Sequence, residues 1–293
     1  MLHSADRFNK VLGMNARNAR IARDNPVAAV HLVNDKYATK QALAAVGAPA
    51  APTLALVRSR MELRTFDWAG LPDSWALKPN QSLGGNGILL AFGRDPQAQG
   101  GTGWLSGSGR RITLEEITDH VRFILDGEFS GRARDMALIE PLIRSHPDME
   151  RLSFQGLPDI RVLCLSDEPV LAMTRLPTSA SGGRANLHQG AIGAAVDLDS
   201  GRVTGAWTGR RSLTHHPDTG AELVGAVLPY WPQVLDAASR CGPATGLRYV
   251  GADVVIDRDD GPLILEVNAR PGLQIQNVTG RGLLGVMEPG GRR

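Results

Sequence analysis

The stretch from Val250 to Gly272 reads VGADVVIDRDDGPLILEVNARPG and decides the fold. Two apolar runs flank an Asp/Gly-rich turn, and this pattern predicts a β-hairpin. We centre the turn on Asp259 and Asp260, which pairs the two runs residue by residue. Three of the resulting pairs place apolar side chains on one face: Val254 with Leu265, Ala252 with Val267, and Ile256 with Leu263.

The other face of this hairpin is polar. The same pairing places Asp253 opposite Glu266, and Asn268 points the same way as Glu266 because side chains alternate along a strand. Directly opposed residues have Cβ atoms about 4.5–5.5 Å apart, so two carboxylates there repel unless a proton or cation lies between them. Carboxylate and amide oxygens suit Mg²⁺. The alternative is a solvated strand face, and a register slip of one residue would move Asp253 to the other face.

Composition limits the class of protein. A chain of 293 residues, with 42% hydrophobic and 21% charged residues, predicts a soluble protein of about two domains. A net charge of +2 gives no indication of a nucleic-acid partner. The sequence contains no apolar run of ~18 residues, so we expect no membrane span. The two cysteines have no metal-type spacing, and the first residues have no signal-peptide core, so we expect a cytoplasmic protein.

A glycine-rich segment follows a short strand that ends in a lysine. Lys78 precedes the loop Asn80–Gly87, which lacks both the GK[ST] signature and a GxGxxG before a helix. Backbone N–H groups in such a loop can approach phosphate oxygens, with Lys78 as a point charge. A plain hairpin turn is the alternative. Residues 94–112 are rich in Gly and Ser, and we expect a mobile loop there.

Basic residues occur in three other segments. The run from Asp159 to Leu176 predicts a hairpin whose three-residue turn would place Arg161 opposite Arg175, an arrangement that needs a bridging anion. A loop of two or four residues would instead separate the two arginines onto opposite faces of the sheet. Residues 1–33 are predicted to be mostly helical, and three arginines lie on one helix face: Arg17, Arg20 and Arg23. This face is either solvated or contacts a phosphate group or a partner.

In their order along the chain, these segments resemble the ATP-grasp superfamily. The resemblance covers about residues 11–284 and rests on NDKYATK, WALKPNQSLGGNGI, LIEPLI, DIRVLCL, AMTRL, NLHQG, GADVVID and ILEVNARPG. Within the superfamily, RLPTSASGGRANLHQGAIG and NARPGLQIQNVTGRGLL resemble the alpha-L-glutamate ligase-like proteins, which are relatives of the ribosomal-protein glutamate ligase.

The resemblance implies an α+β ATP-grasp fold, in which two subdomains with antiparallel sheets grip ATP. We expect an N-terminal helical segment at 1–33, an ATP-grasp N-terminal subdomain at 34–143 and a C-terminal subdomain at 144–293. About 33 residues precede Asn34, too few for the Rossmann-like domain with which many of these enzymes begin, so that domain is not expected.

The implied activity is a carboxylate–amine ligase that uses ATP and one or two Mg²⁺ ions, with Mn²⁺ as an alternative, through an acyl phosphate. Small-molecule or peptide carboxylates and amines, glutamate among them, are the expected substrates, with neither nucleic acid nor membrane as a partner. An oligomer is compatible with the sequence. The rival interpretations are a phosphotransferase and a nucleotide-binding module without turnover.

The resemblance also implies roles for individual residues. ATP would be bound by two phosphate lysines, a glycine loop and an adenine-reading linker: Lys36, Lys78, Gly84, Gly85, Gly87, Glu140, Pro141, Leu142 and Ile143. The metal would be held by Asp253, Glu266 and Asn268. Residues facing the reacting groups would be Arg161, Arg175, Asn186 and Arg270. Further substrate contacts would come from Arg184 and His188, the latter with a structural role as the alternative.

Overall fold

The computed structural model describes residues 10–82, 85–131 and 134–287, so Gly84 lies outside the described residues. The chain forms two compact units. The larger comprises the segment ending at Val33, Thr39–Ala50 and the chain from Arg144 onward, and the smaller comprises Asn34–Ala38 and Ala51–Ile143. The assignment of 34–143 and 144–293 as functional subdomains stays a prediction.

The elements alternate between helices and antiparallel strands. Up to residue 143 they are α1 (Met14–Asp24), α2 (Val27–Val33), α3 (Lys36–Ala45), β1 (Ala55–Val57), α4 (Arg60–Arg64), β2 (Trp75–Pro79), β3 (Leu89–Ala91), β4 (Gly93–Arg94), β5 (Trp104–Leu105), β6 (Arg111–Ile112), α5 (Leu114–Leu125) and β7 (Ala137–Pro141). Beyond it they are α6 (Pro147–Arg151), β8 (Asp159–Leu165), β9 (Glu168–Leu176), β10 (Ile192–Val196), β11 (Val203–Thr208), β12 (Arg211–Leu213), α7 (Trp231–Thr245), β13 (Tyr249–Asp257), β14 (Gly261–Asn268), α8 (Gln274–Thr279) and α9 (Leu283–Met287).

The smaller unit is built on a four-stranded sheet of order β1-β7-β2-β3. Its core packs Trp75 and Leu77 of the sheet against the buried face of α5, which includes Ile117 and Val121. Helix α5 begins with a capping box: the Thr113 hydroxyl accepts the Glu116 N–H, and the Glu116 carboxylate accepts the Thr113 N–H.

The prediction of a mobile loop at residues 94–112 was wrong. Strands β4, β5 and β6 form a three-stranded sheet there, with a 3₁₀ turn at Gln99–Gly101. Trp104 is fully buried, its ring centroid lies 5.3 Å from that of Trp75, and the Arg94 guanidinium stacks 4.5 Å from the Trp104 ring. One buried aromatic therefore organises a segment whose average composition is that of a loop.

The glycine-rich loop is held at Gly87. This residue has φ +75°, and its carbonyl oxygen lies 2.8 Å from His120 Nε2. A Cβ atom on Gly87 would lie 2.5 Å from Phe129 Cγ. Gly85 has nearly the same φ, +76°, but a Cβ there would meet only Ile88, at 3.8 Å. Gly87 is thus required both by its backbone conformation and by the aromatic ring against it.

The larger unit contains a seven-stranded antiparallel sheet of order β12-β11-β10-β9-β8-β13-β14. Helix α7 covers one face, where Val162, Val254 and Val234 belong to one core. A second core on the other face includes Leu163 and Tyr249 from the sheet, together with residues of α1, α8 and α9 such as Ile21, Ile275 and Leu283. The polar part of this second face carries the candidate site.

The hairpin β13–β14 forms as predicted at its polar end and differs beyond it. Asp253 pairs with Glu266 and Ala252 with Val267. A bulge then shifts the register, so the predicted pairs of Val254 with Leu265 and of Ile256 with Leu263 were wrong. The observed partners are Ile264 for Val254, Leu263 for Val255 and Pro262 for Ile256. The bulge accompanies a three-residue turn, in which the Asp257 carboxylate accepts the N–H groups of Asp259 and Asp260.

Two buried side-chain amides tie the first helices to the sheet. Asn25 accepts the N–H groups of Arg248 and Tyr249 and donates to the Tyr249 carbonyl, each at 2.9 Å. Gln276 accepts the N–H groups of Leu12 and Leu283 and donates to the Leu12 carbonyl. These amides make α1 and α2 part of the larger unit.

The glycine loop offers a matched test. We expect Gly87→Ala to lower the free energy of unfolding more than Gly85→Ala does, because both substitutions strain a left-handed backbone, at about 1 kcal/mol, but only the first meets Phe129. Chemical denaturation of the two variants measures the difference. Equal losses would mean that Phe129 moves aside at no cost.

Candidate functional site

The centre of the candidate site is one carboxylate shared by two arginines. Arg161 donates from Nε and Nη2 to the two oxygens of Asp253 at 2.7 and 2.6 Å, and Arg175 donates from Nη2 to Asp253 Oδ2 at 2.9 Å. Arg175 also donates from Nε and Nη2 to the two oxygens of Asp159, both at 2.6 Å. The four side chains form an electroneutral, charge-assisted network.

The sheet register explains why these side chains meet. Asp253 pairs with Arg161 across β13 and β8, and Arg175 pairs with Asp159 across β9 and β8. The predicted pairing of Arg161 with Arg175 was wrong, since Met173 lies opposite Arg161. The loop between β8 and β9 has two residues rather than three, and a bulge follows Leu163. The arginines still share a face, because positions two residues apart point the same way, and the bridging anion is Asp253.

Burial gives this network its electrostatic character. The side chains of Asp253 and Asp159 are 3% and 6% exposed, and those of Arg161 and Arg175 are 12% and 14% exposed. Burial works to raise the pKa of Asp253, but the charges and hydrogen bonds of Arg161 and Arg175 outweigh it and hold that pKa below its ordinary value. Burial raises the pKa of Asp159 to about 6, although Arg175 opposes the shift.

Each arginine keeps a donor for a further anion. No Nη1 atom of Arg161 or Arg175 has a hydrogen-bond partner among the described residues. Arg161 Nη1 lies 4.0 Å from the position that a Cβ atom on Gly272 would occupy. The segment Ala269–Gly272 is fixed there because Pro271 packs on Gly251, where a Cβ would lie 2.6 Å from Pro271 Cβ. The spare guanidinium donors can therefore take an incoming oxyanion.

The predicted metal ligands lie together on this face. Glu266 is the registered partner of Asp253, and Asn268 donates from Nδ2 to Asp253 Oδ2 at 3.2 Å. Asp253 Oδ2 accepts three hydrogen bonds and Oδ1 accepts one, so the free lone pair is on Oδ1. The oxygen donors fit Mg²⁺ in type, provided that the Asn268 amide turns its oxygen to the ion. In the described chain no group of three His, Cys, Asp or Glu side chains is placed to hold a metal.

The lysines predicted to bind ATP are held by their own unit. Lys78 Nζ donates to Glu140 Oε2 at 2.6 Å, and the two side chains are 12% and 2% exposed. A lysine at the end of a strand is expected to be exposed, but the Lys78 side chain is mostly buried. Lys36 Nζ donates to the carbonyl of Ser82 at 2.6 Å, in the glycine-rich loop. Pro141 ends β7 and is followed by Leu142 and Ile143, and all three residues are half-buried.

The remaining predicted residues lie on the surface of the larger unit. Asn186 caps the 3₁₀ turn Leu187–Gln189 by accepting the His188 N–H at 3.0 Å. The exposed His188 ring lies 3.3 Å from Gln274 Nε2. The side chains of Arg184 and Arg270 are exposed and make no hydrogen bond or ion pair with any residue that the structure describes. The structure does not bring these four residues into the buried network.

Sequence reasoning missed Asp159 and Asn80. Asp159 stands two residues before Arg161 and so shares its face, a signal available in the sequence. Asn80 is fully buried, accepts the Tyr37 N–H through Oδ1 and accepts the Lys36 N–H through its carbonyl. Its Nδ2 has no partner among the described residues. Asn80 begins the glycine-rich loop, but its burial could not be predicted because its partners come from a distant segment.

Comparisons with known proteins agree with this architecture. The family model described as sugar-transfer associated ATP-grasp matches residues 16–289. The match confirms the resemblance and, with the antiparallel sheets, the predicted α+β ATP-grasp fold. The chain is 31% identical over 129 residues to a probable alpha-L-glutamate ligase from Chromohalobacter salexigens, covering 43% of this chain and 31% of that protein.

A second relative is matched over a longer range. A probable alpha-L-glutamate ligase from Marinobacter nauticus is 24% identical over 253 residues, covering 82% of this chain and 65% of that protein. The chain thus spans less than two thirds of the length of either relative. A solved D-alanine–D-alanine ligase from Bacillus anthracis aligns at a TM-score of 0.48 with 12% identity, over 98% of this chain and 82% of that one. Among the described residues, no helix has both the length and the apolar character of a membrane span.

The arginine network predicts a rescue. We expect Arg175→Met to lower the free energy of unfolding by about 3–5 kcal/mol, because it leaves Asp159 buried without a counter-charge. Adding Asp159→Asn should recover part of that loss, since the neutral amide needs no counter-charge. Urea denaturation of both variants measures this, with Arg151→Met, an exposed arginine of α6, as the control. A double variant less stable than Arg175→Met would contradict the assignment.

The Lys78–Glu140 pair predicts that lysine removal alone damages the smaller unit. Lys78→Met should destabilise the protein, because the nearly inaccessible Glu140 carboxylate loses the Lys78 ammonium, whereas Lys78→Met with Glu140→Leu should be markedly more stable than the single variant. Thermal unfolding checks the order. If the single variant is as stable as wild type, Glu140 is compensated by another group.

Proposed function

Because this chain belongs to the sugar-transfer associated ATP-grasp family, we propose that it binds ATP with Mg²⁺ and joins a carboxylate to an amine. The observation that carries this proposal is the pair Arg161 and Arg175, which share Asp253 and each keep an Nη1 donor. Two fixed guanidiniums on one sheet face can hold an anion where negative charge accumulates.

The chemistry explains why such a site is useful. Attack of a carboxylate on the γ-phosphate of ATP brings two anions together, so catalysis consists mainly of positioning and charge neutralisation. We propose that Arg161 and Arg175 orient the terminal phosphate and the reacting carboxylate through their spare donors. The buried carboxylates hold the guanidinium planes fixed, so little reorganisation is needed when the substrate binds.

Asp253, Glu266 and Asn268 would hold the Mg²⁺ that accompanies ATP. When bound, this ion would neutralise phosphate charge. The separation of Glu266 and Asn268 by one residue on β14 supports the assignment, since both then point to the face that carries Asp253. Arg270 and Asn186 would contact the acyl phosphate or the substrate, and Arg184 and His188 the substrate alone.

The smaller unit would supply the nucleotide contacts. We propose that the glycine-rich loop covers the phosphates of ATP, with Lys36 and Lys78 beside them. The backbone of Glu140–Ile143 would bind adenine. The contact of Lys36 Nζ with the Ser82 carbonyl supports this, because it places a cation in the loop itself. Gly85 and Gly87 would let N–H groups point at the phosphate oxygens.

The substrates belong to the proposal as well. The two relatives are named probable alpha-L-glutamate ligases, and we propose an amino acid such as glutamate as one substrate, joined to a peptide or small molecule. A phosphotransferase that stops after phosphoryl transfer is the second candidate, since the same neutralising groups would serve it.

Turnover assays separate these candidates. We expect purified protein to release ADP when supplied with ATP, Mg²⁺, a suitable carboxylate and an amine. Little ADP should be released when the carboxylate or the amine is omitted. Hydroxylamine in place of the amine should trap a hydroxamate if an acyl phosphate forms. A stable phosphorylated product favours the phosphotransferase, and ATP binding without ADP release over a broad substrate screen favours a module without turnover.

Glu266→Gln tests the metal assignment. We expect wild type to gain thermal stability from Mg·ATP, since a ligand at a hundredfold excess over Kd contributes about 2.7 kcal/mol, and Glu266→Gln to lose most of that gain. Thermal melts with and without Mg·ATP measure it. Asp259→Asn, an exposed carboxylate in the turn of the same hairpin, is the control and should keep the full gain. An unchanged gain in Glu266→Gln would place the metal elsewhere.

ATP affinity tests the role of Lys78 without leaving a buried charge. The double variant Lys78→Met with Glu140→Leu should bind ATP at least tenfold more weakly than wild type, because it lacks the phosphate-binding cation. Isothermal titration calorimetry on the folded variant decides the matter. Wild-type affinity would remove Lys78 from the nucleotide site.

A further inference from the structure

A concave pocket lies where α1 ends, beside the start of β13. Its volume is about 410 Å³, and its lining includes Ala22, Arg23, Asp24, Pro26, Val27 and Arg248. Arg248 immediately precedes β13 and stands five residues before Asp253, so about 16 Å of extended chain separates the pocket from the arginine network. None of the roles proposed above uses this pocket.

The pocket carries an excess of positive charge. Among the described residues that line it, Asp24 is the single carboxylate. Arg23 donates to Asp24 Oδ1 at 2.7 Å, and Arg20, one helical turn earlier, approaches Asp24 Oδ2 at 2.9 Å. Within the described residues, Arg248 has no carboxylate within 4.0 Å, although its charge acts on Asp24. Arg20 and Arg23 contact Asp24, and Arg248 adds a third guanidinium at the pocket, which leaves a local charge of about +2.

This charge excess persists at neutral pH. The hydrogen bond from Arg23 lowers the pKa of Asp24, outweighing its partial burial, and the charges of Arg20, Arg23 and Arg248 lower it further. Asp24 is thus ionised and its charge is already compensated within α1. The Arg248 guanidinium, which is exposed, remains available for a ligand.

The backbone at the pocket is held by a buried side chain. Asn25 is 4% exposed and joins the end of α1 to the start of β13 through its hydrogen bonds to Arg248 and Tyr249. Pro26 restricts the backbone next to it. Val27, 72% exposed, supplies an apolar wall. A pocket whose lining combines arginines with an aliphatic side chain suits an anion with an apolar substituent.

We propose that this pocket is a binding site for a small organic anion, with Arg248 and Arg23 holding its phosphate or carboxylate group and Val27 contacting its apolar part. The site is separate from the proposed ligase site. Its ligand is therefore an effector or a second substrate group rather than the ATP phosphates.

Amide NMR titration locates the binding directly. Phenyl phosphate, added to the full chain at constant ionic strength, should shift the amide signals of residues 23–27 and 248–249. We expect Arg248→Gln to raise the Kd at least tenfold, whereas Arg151→Gln, which removes an exposed arginine of the same unit, should change it less than twofold. Val27→Ser should weaken the binding of phenyl phosphate several-fold and leave the affinity for inorganic phosphate unchanged.

Each other outcome overturns the proposal. Equal affinity in wild type and Arg248→Gln, or shifts confined to residues around Arg161 and Arg175, would assign the anion to the ligase site. If sodium chloride produced the same amide shifts as phenyl phosphate, the shifts would report charge screening rather than binding. Arg248 is exposed and its backbone is held by Asn25, so Arg248→Gln should fold, and Arg23→Gln gives a second variant if it does not. Since no variant touches the ligase site, these results are independent of ADP release.

Discussion

The arrangement of the strands around the candidate site depends on how the charge of Asp253 is compensated. The carboxylate lies in the middle of a sheet face and is almost inaccessible to water, so it requires cations at hydrogen-bond distance. Arg161 supplies two hydrogen bonds and Arg175 a third, and Asp159 balances the second arginine. Such buried networks contribute little net stability. What this one supplies is geometry, because three adjacent strands must be in register for the four side chains to meet.

That geometry limits which residues can vary around it. Gly251 precedes Asp253 on the same face and has no side chain, which allows Pro271 to pack on β13. The segment that follows β14 is thereby placed beside Arg161. A charged network and a close backbone approach thus support each other within a few residues of one hairpin, the same hairpin whose sequence first indicated the site.

Much of this could be predicted from the sequence, and the failures have physical reasons. The opposition of Asp253 and Glu266 followed from turn chemistry and alternation and is confirmed. The bulge after Asp253 could not be predicted, because both registers bury aliphatic side chains and only the hydrogen bonds of the Asp257 turn distinguish them. The pairing of Arg161 with Arg175 failed because loop length decides register, and composition does not specify whether a turn has two or three residues.

Long-range partners were the other gap. The sequence indicated Lys78 as a cation before a glycine loop. It did not indicate that Lys78 would form a buried ion pair with Glu140, 62 residues later. Likewise, residues 94–112 have the composition of a loop, and only the packing of Trp104 on Trp75 makes them a sheet. The roles of the predicted site residues stay predictions, because position alone does not show which groups touch a substrate.

The Gln276 side chain has a consequence for biosynthesis. It bonds Leu12, 264 residues earlier, and also Leu283. During translation, α1 emerges from the ribosome long before the strands and helices that it packs against. Its apolar residues therefore stay exposed to solvent until synthesis is nearly complete. Such contacts between distant segments slow folding, and a nascent chain in this state is open to chaperones and to aggregation. By contrast, all residues of the smaller unit have been synthesised by Ile143, long before the last contacts of the larger unit can form.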